Sequence, residues 1–240
     1  MRLKTTMSTD LNEQLSDIRR EFTRVAPALV QQASAFAASI LADVAGRRGT
    51  MDGRISPLSP HMRVCGPAFT IEVRPGDNLM IHAAMAMAQP GDVLVIDGKA
   101  DRSAALMGSI MLNACKKLGF AGVVLDASIR DTEELVELGF PVWAIGANPN
   151  GPTKNVAGRI NWPIGCGGAS VSPGDLIVGD ADGVVVIERE KVASLLPLAL
   201  RKVAEERQRI ADITGGGPIR PKWLEGSLVA AGVLKAGETL

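Results

Sequence analysis

The 240-residue sequence has no tyrosine, only five phenylalanines and three tryptophans, and a formal charge of zero, with Lys+Arg and Asp+Glu at 26 each. Nucleic-acid binding draws on a basic excess and on aromatic faces for stacking, and neither is present. Two histidines, His61 and His82, are too few for a histidine-rich metal site. His82 lies in an apolar stretch and is read as a satisfied helix histidine. Three cysteines, Cys65, Cys115 and Cys166, are widely spaced and never form a CxxC pair. A disulfide framework or zinc knuckle needs more, so they are read as buried, reduced thiols. No apolar run approaches the ~18 residues of a membrane span. Met1-Arg2-Leu3-Lys4 leads into polar sequence without an apolar h-region, so a cytoplasmic location is expected.

What remains is ordinary globular composition, 46% hydrophobic and 22% charged. The length favours one α/β domain with extensions. We divide 1–240 into a helical N-terminal extension (1–62), an α/β core (63–188) and a C-terminal helix and tail (189–240). In the extension, Leu11, Leu15, Ile18, Phe22 and Val25 recur at helical spacing and predict a helix over 10–24. A second helix is predicted over 34–44, followed by a loop over 46–60.

From Val64 the pattern alternates between strand and helix. Strands are predicted at 69–73, 93–96, 122–126 and 141–145, and helices at 75–88, 104–118 and 132–138. Val93-Leu94-Val95-Ile96 is a continuous apolar run, as in a strand buried on both faces. Strand and helix alternating at short spacing signal parallel strands in an α/β core. A loop-rich stretch (146–168) precedes a hairpin of strands 175–178 and 184–187 around Asp182-Gly183. A charged amphipathic helix is predicted over 188–213. No glycine group sits between a strand and a helix as a nucleotide loop requires, which leaves methyl transfer from a nucleoside cofactor without support.

The candidate site is Ile129-Arg130-Asp131-Thr132-Glu133-Glu134. It follows a buried strand and opens a helix, where ligands of open α/β sheets bind. An Arg there can clamp a carboxylate, and an adjacent Asp can hold a hard divalent cation. Asp131 with Glu134 also fits a capping box, and Arg130 a surface ion pair, so spacing alone leaves both readings open. Met107-Gly108-Ser109-Ile110-Met111 begins the preceding helix, and Gly108 would let ligand oxygens approach backbone N–H groups. Two successive helix N-termini would then converge on one anion.

Gly108, twenty-one intervening residues and then Arg130-Asp131-x-x-Glu134 resemble the signature of the RraA-like family. That family includes class II pyruvate aldolases acting on 4-hydroxy-4-methyl-2-oxoglutarate and 4-carboxy-4-hydroxy-2-oxoadipate, and the regulator of ribonuclease activity A. The resemblance runs from about Val64 to Ile187. It takes in Pro-Gly-Asp-Asn-Leu-Met-Ile-His, Gly-Asp-Val-Leu-Val-Ile-Asp, Gly-Phe-Ala-Gly-Val-Val-Leu-Asp, Phe-Pro-Val-Trp-Ala, Pro-Gly-Asp-Leu-Ile-Val-Gly-Asp and Asp-Gly-Val-Val-Val-Ile, in order.

The resemblance implies a layered α/β domain of the swivelling β/β/α type, with N-terminal helices and a C-terminal helical tail. It implies a homotrimer, or a dimer of trimers, with sites at subunit boundaries. It implies that Arg130 binds the carboxylate of a small 2-oxo acid, and that Asp131 ligates Mg²⁺ or Mn²⁺ with Glu134 orienting metal-bound water. Gly108, Ser109, Ile110 and Met111 would hold the pyruvoyl end. The implied activity is metal-dependent cleavage of a 4-hydroxy-2-oxo acid to pyruvate, with oxaloacetate decarboxylation as a companion. Similar aldolases carry an acid where this chain has Ser109, a weak base. The alternatives are a metal enzyme on another small 2-oxo acid, or a non-catalytic protein regulator. Asp131 favours an enzyme over the regulator, which lacks that acid.

Overall fold

A computed structural model describes residues 17–240. Contacts divide the chain into two compact units, one ending at Ala199 and the other running Leu200–Leu240. The first is a mixed α/β unit built on an eight-stranded sheet. Its strands are β1 (Ser56–Pro57), β2 (Val64–Glu72), β3 (Val93–Met107), β4 (Gly122–Ile129), β5 (Val142–Ala147), β6 (Arg159–Ile160), β9 (Leu176–Asp180) and β10 (Gly183–Ile187). A separate hairpin joins β7 (Ile164–Cys166) to β8 (Ala169–Val171).

The sheet order is β1-β5-β4-β3-β2-β9-β10, with β6 also paired to β2. Strands β2, β3, β4 and β5 run parallel to one another. The others pair antiparallel. Helices α3 (Leu79–Met85), α4 (Ser109–Lys117) and α5 (Thr132–Leu138) follow β2, β3 and β4 in turn. Helical crossovers of this kind are what parallel pairing requires.

Strand alternation sorts the apolar run into two cores. Leu94 and Ile96 join Phe69, Ile71 and Leu125 under α3, α4 and α5. Val93 and Val95 join Trp143, Val124 and Ile177 on the other face, covered by β7, β8 and residues Met51 to Met62. Trp143 is fully buried, and its indole N–H donates to the Asp180 carbonyl at 3.1 Å. That bond lets an aromatic with a polar edge sit in an apolar layer.

The expected helix over 10–24 is not formed across its described part, and residues 10–16 lie outside the described residues. Residues 17–24 hold no helix and are bridged at Ile18 to Ile160 instead. Arg19 N–H donates to Ile160 O, and Ile160 N–H donates to Asp17 O. Ile18 and Phe22 lie on the first core, Phe22 edge-on to Phe69 at 5.9 Å. Side chains four apart also reach one surface from a chain without helix, so the period misled. Helices α1 (Pro27–Ala33) and α2 (Ala38–Val44) do form in the extension.

The helix expected over 104–118 starts later. Ala104 to Met107 stay on β3, buried, with Ala105 opposite Ser128 and Met107 opposite Ile129. Between the two legs of β3 the chain bulges out through Lys99 and Ala100, both with φ near +60°. Helix α3 is shorter than expected, and the 146–168 loop holds β6 and β7. The hairpin forms as expected, with Gly183 opposite Asp180. Helix α6 (Val192–Thr214) matches the predicted amphipathic helix, and the tail adds α7 (Leu224–Ala230). Among the described residues, no helix is long and apolar enough to cross a membrane.

Candidate functional site

Strand β4 ends at Ile129, and Arg130 N–H donates to Met107 O at the end of β3. The ends of β3 and β4 are thus stitched together where α4 and α5 begin. Asp131 occupies the N-cap position of α5 in the left-handed conformation, φ 61° and ψ 39°, and its side chain makes no cap hydrogen bond. The capping-box reading of Asp131 and Glu134 is therefore not what the structure shows. Asp131 Oδ2 instead accepts the Ser109 N–H at 2.9 Å, across to the first residue of α4. Left-handed non-glycine backbone costs about 1–3 kcal/mol, and such strain collects at functional positions.

Gly108 caps α4 at φ −152°, a backbone conformation open to any residue. What crowds this position is the pair of side chains Arg130 and Asp131 rather than backbone. A Cβ would stand 2.5 Å from Asp131 Oδ2, 3.0 Å from Arg130 Cγ and 3.1 Å from Arg130 Nε. At Gly151 a Cβ would lie 3.2 Å from Arg130 Nη1, so the guanidinium rests against a second bare backbone. Arg130 Nε and Asp131 Oδ2 are 3.8 Å apart, with both side chains over a third exposed.

Gly108, Arg130 and Asp131 line a cleft of about 240 Å³ with Asn78, His82, Met107, Ile110, Met111, Pro152 and Lys154. A neighbouring cleft shares Arg130 and Asp131 and adds Thr132, Ala147 and Asn148. The structure thus brings together Gly108, Ile110, Met111, Arg130 and Asp131, with Ser109 bonded to Asp131. Glu134 is exposed on α5 and is not among the residues lining either cleft. The first-turn N–H groups of α4 have no acceptor within the helix, and they carry its positive dipole end.

Three cleft residues carried no sequence signal as ligand groups. His82, read as a satisfied helix histidine, is on α3 but exposed and on the cleft wall. Lys154 comes from the long segment after β5. Asn78 is buried, and its amide donates to Leu106 O at 2.9 Å and to Met111 Sδ at 3.4 Å. Its Oδ1 is buried without a donor, an acceptor left for a water or a ligand hydroxyl.

Among the described residues no group of three or more His, Cys, Asp or Glu side chains could hold a metal ion. The donor set here is one half-exposed carboxylate, Asp131, oriented by a backbone N–H. That does not suit zinc, which takes three or four protein ligands. It does fit Mg²⁺ or Mn²⁺, which accept one or two carboxylates and fill the octahedron with water and substrate oxygens. The thiols stand apart from this chemistry: burial pushes Cys65 up to about 11 and Cys115 up to about 12.

Comparison with known proteins decides the family. The RraA-like profile, described as Aldolase/RraA, matches residues 14–186. The chain belongs to the RraA-like family. A Halalkalibacterium halodurans protein assigned as a 4-hydroxy-4-methyl-2-oxoglutarate aldolase is 45% identical over 155 residues, 65% of this chain and 74% of its own. A Burkholderia mallei protein with the same assignment is 34% identical over 142 residues, 59% of this chain and 86% of its own. Among solved structures, Streptomyces coelicolor RraAS2 superposes with a TM-score of 0.71 at 28% identity, over 79% of this chain and 99% of that one. It is described as an unusual member of the RNase ES inhibitor RraA protein family. The RraA-like family thus spans aldolases and regulators, and the mixed sheet with flanking helices is its swivelling fold.

Proposed function

We propose that this RraA-like protein is a divalent-metal-dependent lyase that cleaves a 4-hydroxy-2-oxo acid to pyruvate and decarboxylates oxaloacetate at the same site. The observation that supports this most is the shared space of Gly108, Arg130 and Asp131, where a cation and a carboxylate fill the room a side chain at 108 would take.

Asp131 would hold Mg²⁺ or Mn²⁺, with water and substrate oxygens completing the shell. When bound, that cation supplies Lewis-acid polarisation of the substrate's keto oxygen. Arg130 pairs with the carboxylate beside the keto group, and its planar fork suits a two-point contact. Ser109, Ile110 and Met111 present the amino end of α4, whose N–H groups favour negative charge. Breaking the carbon–carbon bond leaves pyruvate as its enolate, and the developing charge faces these donors. Lys154 offers a second cation on the same wall, which suits a substrate with a distal carboxylate. The proton of the 4-hydroxyl must leave as the bond breaks. Ser109 is neutral, so that proton passes to water held at the site or to His82, the other titratable groups on the wall being Arg130, Asp131 and Lys154.

The test is kinetic. Arg130→Ala raises KM for the 2-oxo acid at least tenfold, and Asp131→Asn abolishes metal-dependent turnover with the fold intact by circular dichroism. Full activity in Asp131→Asn would remove the site assignment. The regulator reading is favoured by the neutral Ser109, and gains if wild-type protein with metal releases no pyruvate. Within the lyase reading, the protein works in the cytoplasm as a homotrimer or dimer of trimers, with Glu134 acting only through water.

A further inference from the structure

We infer that Asp77 is a positioning residue for the cleft: its carboxylate holds the segment carrying Lys154 against the start of α3. Its bearing on catalysis rests on the lyase reading above. Asp77 is 1% exposed and does not line the cleft. Its Oδ1 accepts the Leu79 N–H at 3.0 Å, at the first residue of α3. Its Oδ2 accepts the Thr153 hydroxyl at 2.6 Å and the Asn155 N–H at 2.7 Å. Thr153 and Asn155 flank Lys154, so one carboxylate oxygen fixes both neighbours of the cleft lysine. The other fixes the turn that leads into Asn78 and His82.

Backbone bonds run the same way. Thr153 N–H donates to Gly76 O at 2.8 Å, and Asn78 N–H donates to Thr153 O at 3.0 Å. The far end of the segment is tied separately, Asn148 to Arg102 O, Asn150 to Ser103 O and Ala105 N–H to Asn150 O. Gly151 lies between those ties and the Asp77 bonds, against Arg130. The segment is thus a strap pinned at both ends, with its cleft-facing residues near the Asp77 pin. Burial alone would raise the Asp77 carboxyl, yet hydrogen bonds from Asn155, Thr153, Leu79 and Val156 hold it at about 2. It is charged, and able only to accept, throughout the neutral range.

An amide cannot accept on both sides, so Asp77→Asn sets an N–H₂ against a donor at one end. The experiment compares Asp77→Asn, Thr153→Val and Thr153→Ser in the wild-type and Lys154→Ala backgrounds, with hydrogen exchange over 150–156. We expect Asp77→Asn to raise KM tenfold or more with kcat within threefold. Thr153→Val gives a smaller rise of the same kind, and Thr153→Ser restores it. In the Lys154→Ala background Asp77→Asn adds less than twofold to KM, and exchange over 150–156 quickens selectively. Unchanged KM, or effects of Asp77→Asn and Lys154→Ala that multiply in full, would overturn the inference. If Asp77→Asn does not fold, Thr153→Val decides by the same readouts. If wild-type protein turns over no 2-oxo acid, the lyase reading fails, and unchanged exchange over 150–156 in Thr153→Val still overturns the strap.

Discussion

Adding one methyl group at Gly108 separates stability from function. In Gly108→Ala the new Cβ falls 2.5 Å from Asp131 Oδ2, against an ordinary contact of 3.4–4 Å. The carboxylate must withdraw by about 1 Å, and its 2.9 Å bond to the Ser109 N–H is lost or stretched. A misplacement of about 1 Å costs on the order of 10² in rate, or about 3 kcal/mol of barrier. Stability falls much less. The backbone at φ −152° accepts alanine, and the displaced Arg130 and Asp131 side chains, 43% and 34% exposed, can swing into water. A charge-assisted bond lost at such an exposed site is worth about 1 kcal/mol. The assay is kcat/KM for pyruvate formation beside thermal unfolding, with Gly165→Ala as control, since a Cβ at 165 meets nothing within 4 Å. A Gly108→Ala protein within threefold of wild-type kcat/KM would refute the argument that this glycine exists to admit Arg130 and Asp131.

Three further outcomes follow from the same geometry. Ala100, exposed at φ 57°, carries a left-handed penalty of about 1 kcal/mol or more, so Ala100→Gly raises the unfolding midpoint by a few degrees, and a lowered midpoint contradicts the strain. The Asp77 carboxyl drops from its ordinary 3.8 to about 2 on folding, so its stabilisation, about 2 kcal/mol, is complete above pH 4 and is lost as pH falls through about 2. The urea-unfolding penalty of Asp77→Asn therefore shrinks between pH 6 and pH 2.5, and an equal penalty at both would count against it. Ser109→Asp places a carboxylate beside Asp131 and raises aldol cleavage more than oxaloacetate decarboxylation, while equal gains on both would show that the missing base is not what limits the aldol step.

Much of this architecture is legible in the sequence where burial and period agree. Val93 to Ile96 and Gly122 to Asp126 are apolar runs bounded by glycine and aspartate, and both are strands buried on both faces. Arg130 and Asp131 are legible as a candidate site because they follow such a strand. The N-terminal segment misled because Ile18 and Phe22, four apart, lie on the core from a non-helical chain bridged to Ile160. Ala104 to Met107 misled because small apolar residues suit a helix equally well, and pairing with Ser128 and Ile129 decides for strand. Lys154 and His82 join the cleft through tertiary placement of a long segment and a short helix, for which local sequence carries no signal. Asp77 lies in a Pro-Gly-Asp triplet that also occurs at 90–92 and 173–175, and its bonds to Thr153 and Asn155 come from tertiary placement that the triplet does not signal.

The most direct measurement is pyruvate release from 4-hydroxy-4-methyl-2-oxoglutarate, 4-carboxy-4-hydroxy-2-oxoadipate and oxaloacetate, each with Mg²⁺ and again with excess chelator. The account predicts metal-dependent pyruvate from at least one aldol and from oxaloacetate, abolished by chelator and by Asp131→Asn. Pyruvate formed equally with chelator, or from none of the three while metal is bound, would contradict it.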